Sequence, residues 1–192
     1  MMLKKIISAA TLAVSLAGVS ATADARTVGG ATFPDSMTVD GKTLVLSGAG
    51  KRVMFAIVDV YASALYLSQP ATTVDAVLAE PDPKVLVTKY LHDASVAQTQ
   101  QEYNLIYNRY CGANTCTPAG RASFEKVLAA VTASKVGQTT TYVLDNGTVT
   151  MSKDGQQVLT FHDPEYEHGM LASIVGPSSP TPGLRAGLLG QQ

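Results

Sequence analysis

The residue types that build metal and redox centres are scarce: the chain of 192 residues has two cysteines and three histidines. His162 and His168 stand six apart across Pro164, a poor ligand spacing, and carboxylates are scattered rather than clustered. No metal site is therefore expected. A lone pair, Cys111 and Cys116, lacks the ligand count of a zinc centre, and its spacing is not C-x-x-C. No stretch is strongly basic; 14 lysines and arginines face 15 acidic residues, which leaves nucleic acid no electrostatic footprint. There is no G-x-S-x-G elbow on which to seat a serine-hydrolase triad. Past residue 25 no segment is long and apolar enough to cross a bilayer, and nothing calls for a cofactor.

What is present begins with a leader. Lys4 and Lys5 precede an apolar run, Ile6 to Ala21, and Ala23-Asp24-Ala25 then offers small residues at the spacing of a cleavage site. This reads as a secretory signal peptide over residues 1–25, cut after Ala25 or, as second choice, Ala23. A retained membrane anchor is the alternative. Removal leaves 167 residues, 26–192, as one domain large enough to bury a core, and shifts the net charge from −1 to −2. Export to the periplasm or the medium also suits the cysteines. In an oxidising compartment they read as a short disulfide loop, a local clip contributing about 2 kcal/mol.

The mature chain is organised around Leu44–Leu67, LVLSGAGKRVMFAIVDVYASALYL, which is mostly apolar and β-branched yet carries one arginine, Arg52. A cation in such a run must reach solvent, a polar partner or a ligand, because burying it alone costs several kcal/mol. Gly48-Ala49-Gly50 lacks the capped helix and Lys-Ser/Thr pair of a phosphate loop and reads as a tight turn or bulge. Arg52 and Tyr61 are nine residues apart, so on one flat strand they face opposite sides. A break at Ala56–Asp59 would bring them to the same face.

Around this stretch, Thr32–Met37 reads as an edge segment interrupted by Pro34, and Asp40-Gly41 as a hairpin turn. Thr72 or Thr73 caps a short helix through Val74, Val77 and Leu78, and Lys84–Leu91 is a strand. Ser95 caps a longer helix bearing Val96, Tyr103, Ile106, Tyr107 and Tyr110 at helical spacing, with Gly112 as its stop. Thr117-Pro118 opens another, whose apolar face is Phe124, Val127, Leu128 and Val131 and which Gly137 ends. Three strands follow, separated by Asn146-Gly147 and Asp154-Gly155. Asp163-Pro164 and Thr181-Pro182 then open two final helices. Strands without β-α-β alternation and helices grouped together predict an α+β fold, an antiparallel sheet with helices on one face.

The motifs LxLSGAGKR at Leu44–Arg52, VYASALYL at Val60–Leu67 and SIVGPxxPxxxLRxGLLG at Ser173–Gly190 resemble the chalcone isomerase-like family. The resemblance extends over nearly all of the mature chain and implies an exported protein of bacterial type with an open-faced β-sandwich. The family contains plant enzymes that close a chalcone into a flavanone and non-catalytic relatives that bind fatty acids in the same cleft. By this resemblance Arg52 faces the ligand, and Tyr61 matches the tyrosine of the fatty-acid binders where the enzymes have threonine. The enzymes also place a tyrosine and, two turns on, an asparagine along the first long helix. Ser95–Tyr110 has no such pair, since Tyr103 is followed two turns on by Tyr110 and Asn104 and Asn108 are out of phase.

The guanidinium of Arg52 offers a planar, permanently charged fork that fits a carboxylate or a phenolate, and Tyr61 adds an O–H donor. An ion pair of Arg52 with Asp59 or Glu102 is the competing reading. Tyr103 and Tyr107 are candidates for the wall of the ligand cleft, with core packing as the alternative. Two functions follow. In one, the chain binds a small apolar acid such as a fatty acid through Arg52 and Tyr61. In the other it is an isomerase, an intramolecular lyase acting on a flavonoid-like ligand, with Arg52 the catalytic group that stabilises an oxyanion. Leucines of the C-terminal tail, read as exposed, suggest a partner-binding role as a third.

Overall fold

The computed structural model describes residues 25–114 and 116–191. The leader read from the sequence lies outside the described residues except for Ala25, which opens the first strand. Strands are β1 (Ala25–Val28), β2 (Ala31–Pro34), β3 (Ser36–Val39), β4 (Lys42–Met54), β5 (Val58–Leu67), β6 (Lys84–Tyr90), β7 (Thr139–Asp145), β8 (Thr148–Lys153) and β9 (Gln156–His162). Helices are α1 (Val74–Ala79), α2 (Val96–Ala113), α3 (Pro118–Ala130), α4 (Pro164–Val175) and α5 (Pro182–Leu188). β3 to β9 form one antiparallel sheet of seven strands in chain order, and β1 and β2 form a separate hairpin. The α+β expectation holds.

β5 shows why the sheet sits where it does. Residues Tyr61 to Leu67 are buried on both faces. Tyr61, Leu65 and Leu67 point into the core beneath the helices. Ala62, Ala64 and Tyr66 pack on the opposite face with Ala31 and Phe33 of the β1–β2 hairpin. Full burial of a leucine such as Leu65 or Leu67 contributes about 2 kcal/mol. The second face of the sandwich is thus partly roofed by the N-terminal hairpin, and Pro34 separates two strands instead of interrupting one.

Three of the expected hairpin turns, Asp40-Gly41, Asn146-Gly147 and Asp154-Gly155, have both residues at positive φ. This is the sign pattern of a type I′ turn, which Asn/Asp-Gly adopts at least cost. The β4–β5 hairpin uses the same pattern with unsuitable residues: Phe55 has φ 52° and Ala56 has φ 61°. Ile57 N–H donates to the Met54 carbonyl across this turn at 3.2 Å. Phe55 and Ile57 are almost fully exposed, so no burial offsets the strain. Replacing Phe55-Ala56 by Asn-Gly should therefore raise stability by about 1 kcal/mol, read as a higher denaturant midpoint at unchanged slope. An unchanged midpoint would mean that the turn is relaxed.

The helices follow their caps. Thr73, Ser95, Thr117 and Asp163 each accept a backbone N–H at the start of α1 to α4, and Ser95 and Gln98 form a complete capping box. Two stops differ from expectation. α2 runs through Gly112 to Ala113 and is closed by Asn114, whose side-chain Nδ2 donates to the Tyr110 carbonyl at 3.0 Å. α3 ends at Ala130, well before Gly137, which instead takes positive φ (86°) in the turn leading to β7. The disulfide Cys111–Cys116 is formed, with Cα atoms 5.3 Å apart, and ties the end of α2 to the start of α3.

Gly48-Ala49-Gly50 is not a turn but part of β4, and the bulge alternative fits the register shift between Leu46 and Gly48. The glycines are explained by α5, which lies directly on this strand. A Cβ on Gly48 would stand 2.3 Å from the Leu188 carbonyl oxygen, and one on Gly187 would stand 2.4 Å from the Cα of Gly50. Helix and strand backbones touch, and only glycine permits it. The same contact buries Leu184, Leu188 and Leu189 almost completely. The tail leucines are core rather than surface, which removes the basis for a partner-binding tail.

Candidate functional site

β4 and β5 form a hairpin in which Arg52 and Tyr61 are direct cross-strand partners. The turn at Phe55–Ile57 falls at the break expected near Ala56–Asp59, and it delivers the two side chains to one face. That face looks into a cavity of about 1130 Å³ between the sheet and α2, slightly above the usual range for small-molecule sites. Arg52 and Tyr61 lie on its wall with Tyr103 and Tyr107 of α2, and Met54 and Phe55 of the hairpin tip belong to the same lining. Much of the rest is apolar, including Leu86, Met170, Ile174 and Leu184.

α2 packs chiefly on α4, and the cavity separates it from the sheet. Its apolar stripe is therefore only partly core. Tyr107 is buried and stacks on Phe124 with ring centroids 4.1 Å apart, whereas Val96 is 40 % exposed. Tyr103 accepts a hydrogen bond from the Tyr142 hydroxyl at 2.9 Å inside the cavity. Four sequence-derived residues, Arg52, Tyr61, Tyr103 and Tyr107, are thus brought together on one cavity.

The ion pair of Arg52 with Glu102, the competing reading from the sequence, is formed, and it lies in the cavity wall. The Glu102 carboxylate meets the guanidinium edge-on: Arg52 Nε donates to Oε1 at 2.8 Å and Nη2 to Oε2 at 3.4 Å. The Tyr61 hydroxyl donates to the same Oε1 at 3.3 Å, and Arg52 Nη1 donates to the Val53 carbonyl at 3.2 Å. Both charged side chains are largely shielded, at 17 % and 19 % exposure. Asp59, the other expected partner, pairs instead with Lys51 at 2.8 Å. Nearly every α2 residue from Gln98 to Arg109 borders the cavity, so helical spacing alone does not single out Glu102.

Electrostatics limit what these groups do. Burial, with Glu102 adding to it, pushes the Tyr61 phenol well above its ordinary value, despite the opposing pull of Arg52. Burial does the same to Tyr103, Tyr142 and Tyr166. The phenols stay protonated at neutral pH and act as donors and packing surface, not as bases. Among the described residues no group of three or more His, Cys, Asp or Glu is arranged to hold a metal ion. No helix among them is long and apolar enough to cross a membrane.

No curated protein matches the chain. Among solved structures, the crystal structure of a fatty-acid binding protein of Arabidopsis thaliana is similar in fold, with TM-score 0.63 at 12 % sequence identity over 83 % of this chain and 92 % of that one. The family model described as chalcone isomerase-like matches residues 25–190, nearly the whole described chain. With that match, and a seven-stranded antiparallel sheet covered by helices, the chain belongs to the chalcone isomerase-like family.

Proposed function

We propose that the protein binds a small apolar acid, of the fatty-acid kind, in the cavity between the sheet and α2, and that it works as an exported, periplasmic or secreted, carrier. The observation that carries this reading is the position of Arg52. A permanently charged fork stands beside a phenol donor at the wall of a largely apolar cavity. Such a site takes a ligand by burying its apolar body, with a few polar groups fixing the head. The fatty-acid binding function of the similar Arabidopsis protein and the disulfide expected of an oxidising compartment both fit. The Arg52–Glu102 pair bears on both readings alike, and no separate observation at the site favours the isomerase.

Titration with cis-parinaric acid, a fluorescent long-chain polyene acid, tests the proposal. The chain contains no tryptophan, so the probe's emission is read without an intrinsic background from that residue. Saturable enhancement, reversed by a non-fluorescent long-chain acid, is the expected result. No enhancement up to the probe's solubility would contradict it.

A further inference from the structure

We infer that Glu102 is a built-in occupant of the arginine site, a carboxylate that the acid head of the ligand must displace, and that this displacement sets the head-group preference of the cavity. The inference rests on the binding function proposed above. Its basis is the contact set of Glu102: two guanidinium N–H groups at 2.8 and 3.4 Å and the Tyr61 hydroxyl at 3.3 Å. These are the donors a bound carboxylic acid would use, and the protein's own carboxylate already holds them. Tyr61 has a single O–H proton, so it cannot serve Glu102 and a ligand together.

Charge leads to the same conclusion. With Glu102 seated, the local pair is neutral, and an incoming carboxylate is a second anion beside the first, which disfavours both. An uncharged head of equal chain length meets no such repulsion. Glu102 has somewhere to go: it projects from α2, whose packing is chiefly with α4, and its side chain retains 19 % exposure. Turning it toward water frees Arg52 and Tyr61 as a unit. The resident carboxylate thus penalises anionic heads, while the guanidinium keeps its geometry between ligands because it is never without an acceptor.

Glu102→Gln tests this, since glutamine keeps the shape and an acceptor oxygen but removes the charge. Affinities are measured for a long-chain acid and for the alcohol of the same chain length, each by displacement of a neutral fluorescent lipid probe. The expected result is at least tenfold tighter binding of the acid by the variant, with the alcohol changed less than twofold. Glu102→Asp, which withdraws the carboxylate by one methylene, should shift acid affinity in the same direction by less, and it serves as the second variant should Glu102→Gln fold poorly. Equal or weaker binding of the acid by both variants, while the wild type binds it, overturns the role of Glu102 and leaves the binding function standing. Failure of wild type and variants alike to bind either lipid overturns both. A crystal structure of the wild type with the acid bound provides an independent readout: Glu102 turned away from Arg52 is expected, and an intact Glu102–Arg52 pair beside the ligand contradicts the inference.

Discussion

Removing the guanidinium in the background that lacks the competing charge, Arg52→Ala with Glu102→Gln, is expected to weaken binding of a long-chain acid roughly 10- to 150-fold relative to Glu102→Gln alone. Charge-assisted hydrogen bonds contribute about 1.5–3 kcal/mol each way, and that range converts to this factor. The double variant is the informative one. Arg52→Ala alone leaves Glu102 shielded from water without its cation, a loss that destabilises the fold and confuses the comparison. Binding of an alcohol of equal length should change little, because its head needs no cation. A loss shared equally by acid and alcohol would mean that Arg52 shapes the cavity and does not recognise the head.

The second large effect belongs to the backbone contact between α5 and β4. Gly187→Ala would place a methyl 2.4 Å from the Cα of Gly50 and 2.5 Å from the Ala49 carbonyl oxygen. Neither neighbour is a flexible side chain that could yield. Helix or strand must shift, and with them Leu184 and Leu188, which are buried in the core under the helices. The expected cost is about 3 kcal/mol, the upper part of the range for overpacking, or roughly a 10 °C fall in melting temperature. Gly112→Ala in α2 is the contrasting case. Nothing lies within 4 Å of its added Cβ, and alanine should gain about 1 kcal/mol there. Equal responses at the two positions would remove the close-contact explanation of the glycines in β4.

That contact also shows which parts of the molecule were legible in the sequence. Local rules reached the hairpin turns and helix starts, because Asn-Gly, Asp-Gly, a capping serine or threonine and Thr-Pro act through neighbours only a few residues away. A cation in an apolar strand marked Arg52 and the family resemblance marked Tyr61, and the two are cross-strand partners. What the sequence withheld was long-range. Gly48 and Gly50 read as a tight turn or bulge because their reason lies in Gly187 and Leu188, some 140 residues further along the chain. The tail leucines looked exposed for the same reason. Gly112 looked like a stop because glycine usually ends a helix, and here the Asn114 cap lies beyond it. The turn at Phe55-Ala56 lacks the Asn/Asp-Gly signature, and only the odd spacing of Arg52 and Tyr61 asked for a break nearby.

The pairing of Glu102 with Arg52 was open in the sequence; that it closes at a cavity wall needed the third dimension. In sequence Glu102 is one carboxylate in a helix rich in glutamine and tyrosine. In the fold it contacts Arg52 at the cavity wall, 50 positions away in sequence. The tyrosines next to it were read as wall or packing, and they are both: Tyr107 is stacked in the core while Tyr103 lines the cavity. Burial raises the pKa values of Tyr61 and Tyr103, so at neutral pH both stand as donors.

The central claim, that Arg52 and its apolar cavity hold the acidic end of a guest molecule, is tested most directly by native mass spectrometry of the protein purified from cells. The account predicts a bound long-chain carboxylic acid in the wild type, identified after release by denaturation, and markedly less of it in Arg52→Ala combined with Glu102→Gln than in Glu102→Gln alone. Wild-type protein that carries no such acid, or a double variant that retains as much as Glu102→Gln alone, would contradict the account.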